Sequence, residues 1–153
     1  MERTLVFLKP DCLQRELVGE VIGRIERKGL KIVGMKMMRP SKEFFRTHYG
    51  HLAGKPFYPR IEAFMASAPV IAIAVEGFNA VEDMRKLAGV TKAYEAEAGT
   101  IRGDLANSIQ CNVIHASDSK ETAEKELGRF FKKDELVEWR QNNYDFLYSG
   151  EEK

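Results

Sequence analysis

His115 is one of three histidines in this chain, and it interrupts an apolar run just before Ser117-Asp118-Ser119. Such a run turning polar reads as a buried strand that ends where a helix begins. Asp118 reads as the helix N-cap, with Glu121 three residues on completing a capping-box pattern. His115 is therefore expected at a strand-to-helix junction, beside backbone amides suited to an anion. A neutral imidazole there has a lone pair able to attack phosphorus. A carboxylate on the other ring nitrogen would fix its tautomer, and Glu126 in the following helix is one candidate. On residues 112–119 (NVIHASDS) alone, a core histidine with locally satisfied nitrogens is the simpler account.

Cations elsewhere change that balance. Lys9 ends an apolar run, TLVFLK, which is an expensive place for a charge without a partner. Arg85 borders the apolar face of a helix near its end, where interaction with the helix dipole would also explain it. Between Val90 and Gln110 no periodicity is convincing, and structureless stretches of that length are usually functional or disordered. The stretch contains Thr91 and GTIRGD (99–104). Glycines flanking Arg102 would let the backbone turn and bring a planar fork of donors to a phosphate, although a solvated Arg in a Gly-rich turn is the ordinary explanation. Other phosphate sites are excluded. No GxxxxGK[ST], GxGxxG, HRD or DFG is present, and no His/Cys/Asp/Glu cluster has zinc spacing.

These residues need elements to position them. At 153 residues with 44% hydrophobic and 31% charged composition, a single domain over residues 1–153 is expected. A net charge of +1 excludes a strongly basic nucleic-acid binder as the default. Cys12 and Cys111 form no ligand pair or disulfide framework, no apolar stretch reaches membrane-span length, and the N-terminus lacks a signal-peptide pattern. A cytoplasmic protein with reduced thiols is expected. Strands are read at 4–9, 30–38, 68–77 and 111–116. Helices are read at 17–28, from Ser41 through Leu52, from Pro59 through Met65, from Asn79 to Gly89 with an Asn79/Glu82 capping box, and at 119–130. A further helical segment is read near 135–139, followed by the aromatic tail Tyr144, Phe146, Tyr148. This order implies an α/β (α+β) ferredoxin-like βαββαβ sandwich, a four-stranded antiparallel sheet with additional helices.

KPD (9–11), HYGHLAGKPFYP (48–59), RKLAGVT (85–91), GTIRGD (99–104) and NVIHASDS (112–119) occur in the order found in nucleoside diphosphate kinases, and the chain resembles that family over essentially its whole length. The resemblance implies transfer of the terminal phosphate of a nucleoside triphosphate to a nucleoside diphosphate, by a ping-pong route through a phosphohistidine, with Mg²⁺ held mainly by the nucleotide phosphates. It implies His115 as the nucleophile and Lys9, Arg85, Thr91 and Arg102 as phosphate ligands. Asn112 would contact the sugar or the leaving end of the phosphate chain. Phe57 would stack on the base with Ile61 nearby, Tyr49 would lie close to the histidine, and Ser117 with Glu126 would orient it. Asp118 would touch the metal through water. A homo-oligomer is implied, a hexamer in preference to a tetramer, with no membrane or nucleic-acid partner. The chain departs from the family pattern at Cys12, Arg60, Lys92-Ala93, Ala98 and Leu105, none of which removes a chemical group. A catalytically silent regulatory or scaffolding member of the same fold is the alternative, and an RNA-binding ferredoxin-like domain lacks the strand aromatics it would need.

Overall fold

The structure is a computed structural model and describes residues 1–152. Four strands, β1 (Glu2–Leu8), β2 (Lys31–Met38), β3 (Val70–Gly77) and β4 (Ile114–Ala116), form one antiparallel sheet in the order β2-β3-β1-β4. This is the ferredoxin-like arrangement expected. Helices α1 (Pro10–Gln14) and α2 (Val18–Arg27) follow β1, α3 (Lys42–His48) and α4 (Tyr58–Ala66) join β2 to β3, and α5 (Ala80–Ala88) follows β3. Helices α6 (Ile101–Leu105), α7 (Lys120–Phe130) and α8 (Tyr144–Leu147) complete the chain. Among the described residues no helix is long and apolar enough to cross a membrane.

The sheet is covered on both faces, which is why β1 reads as a continuous apolar run rather than an alternation. Val6 and Leu8 pack with Val21 and Ile25 of α2 and Met84 of α5. Leu5 and Phe7 pack on the opposite face with Phe45 of α3, Met65 of α4 and Phe130 of α7. In sequence, Lys31 and Lys36 would fall on opposite faces of a regular strand; in β2 a bulge between Ile32 and Gly34 inserts Val33 and shifts the register against β3. Gly29, at φ +91°, closes the C-terminal end of α2 as expected.

Several expected boundaries move. The helix opened by Ser41 stops at His48 rather than running to Leu52. The cap of α7 is Ser119, whose hydroxyl accepts from the Thr122 N–H, so Asp118 is released from that role. Asn79 makes no side-chain cap; instead Glu2 Oε1, from the neighbouring strand, accepts the Val81 N–H. A short 3-10 turn, Lys133–Glu135, replaces the helix expected near 135–139. In the tail, Tyr148 packs against Phe78 of the same chain while Phe146 is 91% exposed.

Candidate active site

The last core strand is shorter than expected because residues 111–113 are not laddered; their conformation is set from α1. Lys9 N–H donates to the Val113 carbonyl, and the Asp11 carboxylate accepts the Val113 N–H at 2.9 Å. Val113 is held at φ +73°, an unfavourable region for a β-branched residue, and it is fully buried. The turn delivers the chain into β4 with Phe7 opposite His115. With a side-chain period of two, Ile114 and Ala116 enter one core layer while His115 faces the other, where its ring stacks on Phe7 at 4.6 Å and 15°.

Glu126, which reads in sequence like a solvated residue, is only 6% exposed. Its Oε2 lies 2.9 Å from His115 Nε2 and accepts the Ser117 hydroxyl at 2.6 Å. Burial alone would raise the Glu126 carboxyl, but the hydrogen bonds from His115 and Ser117 outweigh it and hold the group below the ordinary range. A carboxylate accepts only, so His115 carries its proton on Nε2 and presents a lone pair at Nδ1.

His115 opens onto a cavity of about 820 Å³. The cavity wall brings together eleven of the residues singled out in the sequence: Lys9, Tyr49, Phe57, Ile61, Arg85, Thr91, Arg102, Asn112, His115, Asp118 and Glu126. Ser117 is fully buried behind Glu126 rather than on the wall. Phe57 is 41% exposed, its ring available as a stacking surface.

The cations are held differently from one another. Lys9 Nζ donates to Asn112 Oδ1 at 2.8 Å and to the Gln110 carbonyl at 2.6 Å. Burial pushes this ammonium down to about 8, partly offset by Asp11. Arg102 is not a loose turn residue: GTIRGD enters α6, capped by Thr100, whose hydroxyl accepts the Gly103 N–H. Its guanidinium donates to the carbonyls of Gly89 (2.7 Å), Ile114 (2.6 Å) and Asn112 (3.4 Å), tying the end of α5 to the approach to His115. Burial, with Arg85 nearby, lowers Arg102 to about 10. Arg85 and Thr91 are exposed at the cavity.

Three further residues belong to the site and were not marked by sequence reasoning. Asp11 shapes the Val113 turn; its place in KPD was the available signal. His48 is buried, edge-on to His115 at 4.9 Å and to Tyr49 at 4.7 Å. Burial, reinforced by His115, pushes it down to about 3. Arg129, one helical turn beyond Glu126, donates to His48 Nδ1 at 3.1 Å and lines the cavity. The i, i+3 spacing from Glu126 was its only sequence signal. Burial also pushes the Tyr49 phenol upward.

Known proteins resemble this chain in sequence and in fold. A family model described as nucleoside diphosphate kinase matches residues 2–136. Nucleoside diphosphate kinases of Archaeoglobus fulgidus and Staphylococcus carnosus are 50% and 51% identical, over 148 and 150 residues. These matches cover 97% and 98% of this chain, and 98% and 100% of the relatives. A solved structure of a halophilic nucleoside diphosphate kinase from Halobacterium salinarum, in complex with CDP, superposes with a TM-score of 0.94 at 43% identity, covering 97% of this chain and 99% of that one. Similarity of this extent, in sequence and in fold alike, means that the chain belongs to the nucleoside diphosphate kinase family.

Proposed function

We propose that His115 Nδ1 is the nucleophile through which this phosphotransferase exchanges the terminal phosphate between nucleoside triphosphates and diphosphates. The observation that carries the reading is the His115 Nε2–Glu126 contact at 2.9 Å, which leaves the Nδ1 lone pair toward a cation-lined cavity. As the N–P bond forms, the bond from phosphorus to the bridging oxygen breaks, and its electron pair leaves on the nucleoside diphosphate. The Nε2–H stays hydrogen-bonded to Glu126, which offsets the positive charge developing on the ring. A second diphosphate reverses the step. The transition state is loose and its charge is spread over oxygens, so positioning and electrostatics dominate catalysis. Lys9, Arg85, Thr91 and Arg102 are the phosphate ligands in this reading, and Asn112 buttresses Lys9 and meets the sugar or the departing phosphate. Phe57 and Ile61 take the base, and Tyr49, close to the active-site histidine, packs edge-on against His48 at the cavity wall.

Mg²⁺ held chiefly by nucleotide phosphates fits the donor set. Asp118 is an exposed carboxylate on the cavity wall, with no ion pair among the described residues, and suits a water-mediated contact. The His48, His115 and Glu126 cluster, with ligand atoms within 4.8 Å of one another, is nitrogen-rich and unsuited to that ion. Bound Mg²⁺ would neutralise phosphate charge during transfer. A single domain over residues 1–153, assembled as a homo-oligomer with a hexamer favoured over a tetramer, completes the reading. Exposed Met35 (54%) and Met37 (65%) on edge strand β2 support assembly. The two free thiols accord with a reducing, cytoplasmic setting.

The test is direct. Incubation with ATP and Mg²⁺ should place an acid-labile, base-stable phosphate on His115, and any nucleoside diphosphate should remove it. His115→Ala should abolish both steps, and phosphate mapped to His48 or His51 would overturn the assignment.

A further inference from the structure

Arg129 lies on α7 one turn past Glu126, partly exposed at the cavity wall, with Nη1 3.1 Å from His48 Nδ1. A guanidinium only donates, so His48 Nδ1 accepts and the ring proton of this histidine sits on Nε2. His48 Nδ1 is also 3.7 Å from Glu126 Oε1, the oxygen opposite the one that holds His115 and Ser117. A proton on His48 Nδ1 would therefore face Glu126. We propose that Arg129 is a positioning residue: by holding His48 in the Nε2–H tautomer, its guanidinium reserves Glu126 for His115.

The inference rests on His115 being the nucleophile. Without Arg129, His48 is free to carry its proton on Nδ1 and to share it with Glu126 Oε1. Charge drawn toward that oxygen weakens the hold of Glu126 on the His115 Nε2–H. His115 then populates the tautomer protonated on Nδ1, which has no lone pair to offer phosphorus. The other titratable groups facing His48 do not substitute for Arg129. His115 approaches from β4 edge-on at 4.9 Å, Tyr49 follows in the chain edge-on at 4.7 Å, and His51 is exposed. The remaining ring neighbours, Phe7 at 5.3 Å and Phe130 at 5.5 Å, carry no donor.

Because Arg129 also lines the cavity, the test separates positioning from nucleotide binding. Arg129→Met keeps the aliphatic stem and removes the donors; Arg129→Lys keeps a donor. Histidine ¹⁵N spectra give the tautomer of each ring, quenched-flow labelling with ATP gives the phosphorylation rate, and titration with ADP gives affinity. In Arg129→Met we expect proton density on His48 Nδ1 and phosphorylation slowed by about 10-fold, the scale of groups that orient a ligand indirectly. Affinity for ADP should hold within about 2-fold, and Arg129→Lys should recover most of the rate. An unchanged His48 tautomer in Arg129→Met, or affinity and rate falling together, would overturn the inference. Wild-type protein that took no phosphate on His115 would instead remove the nucleophile assignment and this role with it.

Discussion

Asp11 and Val113 are joined by a hydrogen bond of 2.9 Å from the Val113 N–H to the Asp11 carboxylate, across 102 residues of chain. The bond holds a buried valine at φ +73°, two residues before His115. Local preference opposes that conformation, so tertiary contacts must impose it, and here they come from the turn after β1.

Asp11→Ala should therefore damage stability and chemistry together. It leaves a buried N–H without a partner, a loss of about 1–3 kcal/mol. The expected result is a lower denaturation midpoint and, in the folded protein, slower phosphorylation of His115 with nucleotide affinity less affected. Full activity in a destabilised Asp11→Ala protein would show that the turn serves stability alone.

Lys9 gives opposite pH dependences for stability and catalysis. Burial lowers its pKa from 10.5 to about 8 in the folded protein. Between those two values the unfolded chain binds more protons, so the contribution of Lys9 to stability rises with pH across that window. Below about 8 the buried charge is a standing cost to the fold, and it is also the charge a phosphate needs. The kcat/KM profile, which reports the free enzyme, should therefore fall on an alkaline limb near 8. Lys9→Arg should move that limb upward. Lys9→Ala should remove it and lower turnover by ~10²-fold, the scale seen when one preorganised donor is lost. A wild-type profile flat to pH 9 would contradict this role.

In the proposed role Phe57 would offer the base a π-face that purines and pyrimidines meet alike, and stacking of this kind is worth about 1–3 kcal/mol. Phe57→Ala should weaken ADP, GDP, CDP and UDP binding by similar factors in calorimetry. Selective loss of one base would reveal a hydrogen-bonding determinant in the pocket.

Ala98 precedes Gly99 in a turn closed by the Thr100 N–H donating to the Glu97 carbonyl, with Gly99 at φ +91°. That is the pattern of a type II turn, whose second position favours proline. Ala98→Pro should raise stability by about 0.4–1 kcal/mol through the unfolded state and leave turnover nearly unchanged. A mutant that melts lower while keeping its assembly would show that the backbone at residue 98 rejects proline.

The strands and their order among the helices are legible in the sequence, as are eleven residues that the fold brings to the cavity wall. TLVFL is apolar on both faces because β1 is buried on both faces, and Ser41, Gly29 and Gly89 mark helix ends by local preference. The β2 bulge left a trace in the opposite parities of Lys31 and Lys36 without its location being readable.

The caps show where local reading ends. Asp118 and Ser119 are both competent N-caps, and the local capping-box pattern with Glu121 favours Asp118; in the folded chain Ser119 takes the role, and Asp118 remains at the cavity. Asn79 is likewise competent, yet Glu2 on the adjoining strand satisfies the helix instead. Arg102 reads as a loose loop cation, and its engagement with three carbonyls exists only once α5, α6 and β4 converge.

By itself, then, the sequence determined the chemistry available to this protein: a histidine at a strand end, cations at set positions, an aromatic ring at Phe57. Only the tertiary structure decided which nitrogen of that histidine is free. That choice depends on the pairing of Phe7 with His115, the burial of Glu126 and the contact of Arg129 with His48. These are long-range relationships, made by packing between elements distant in the chain, and no local preference encodes them.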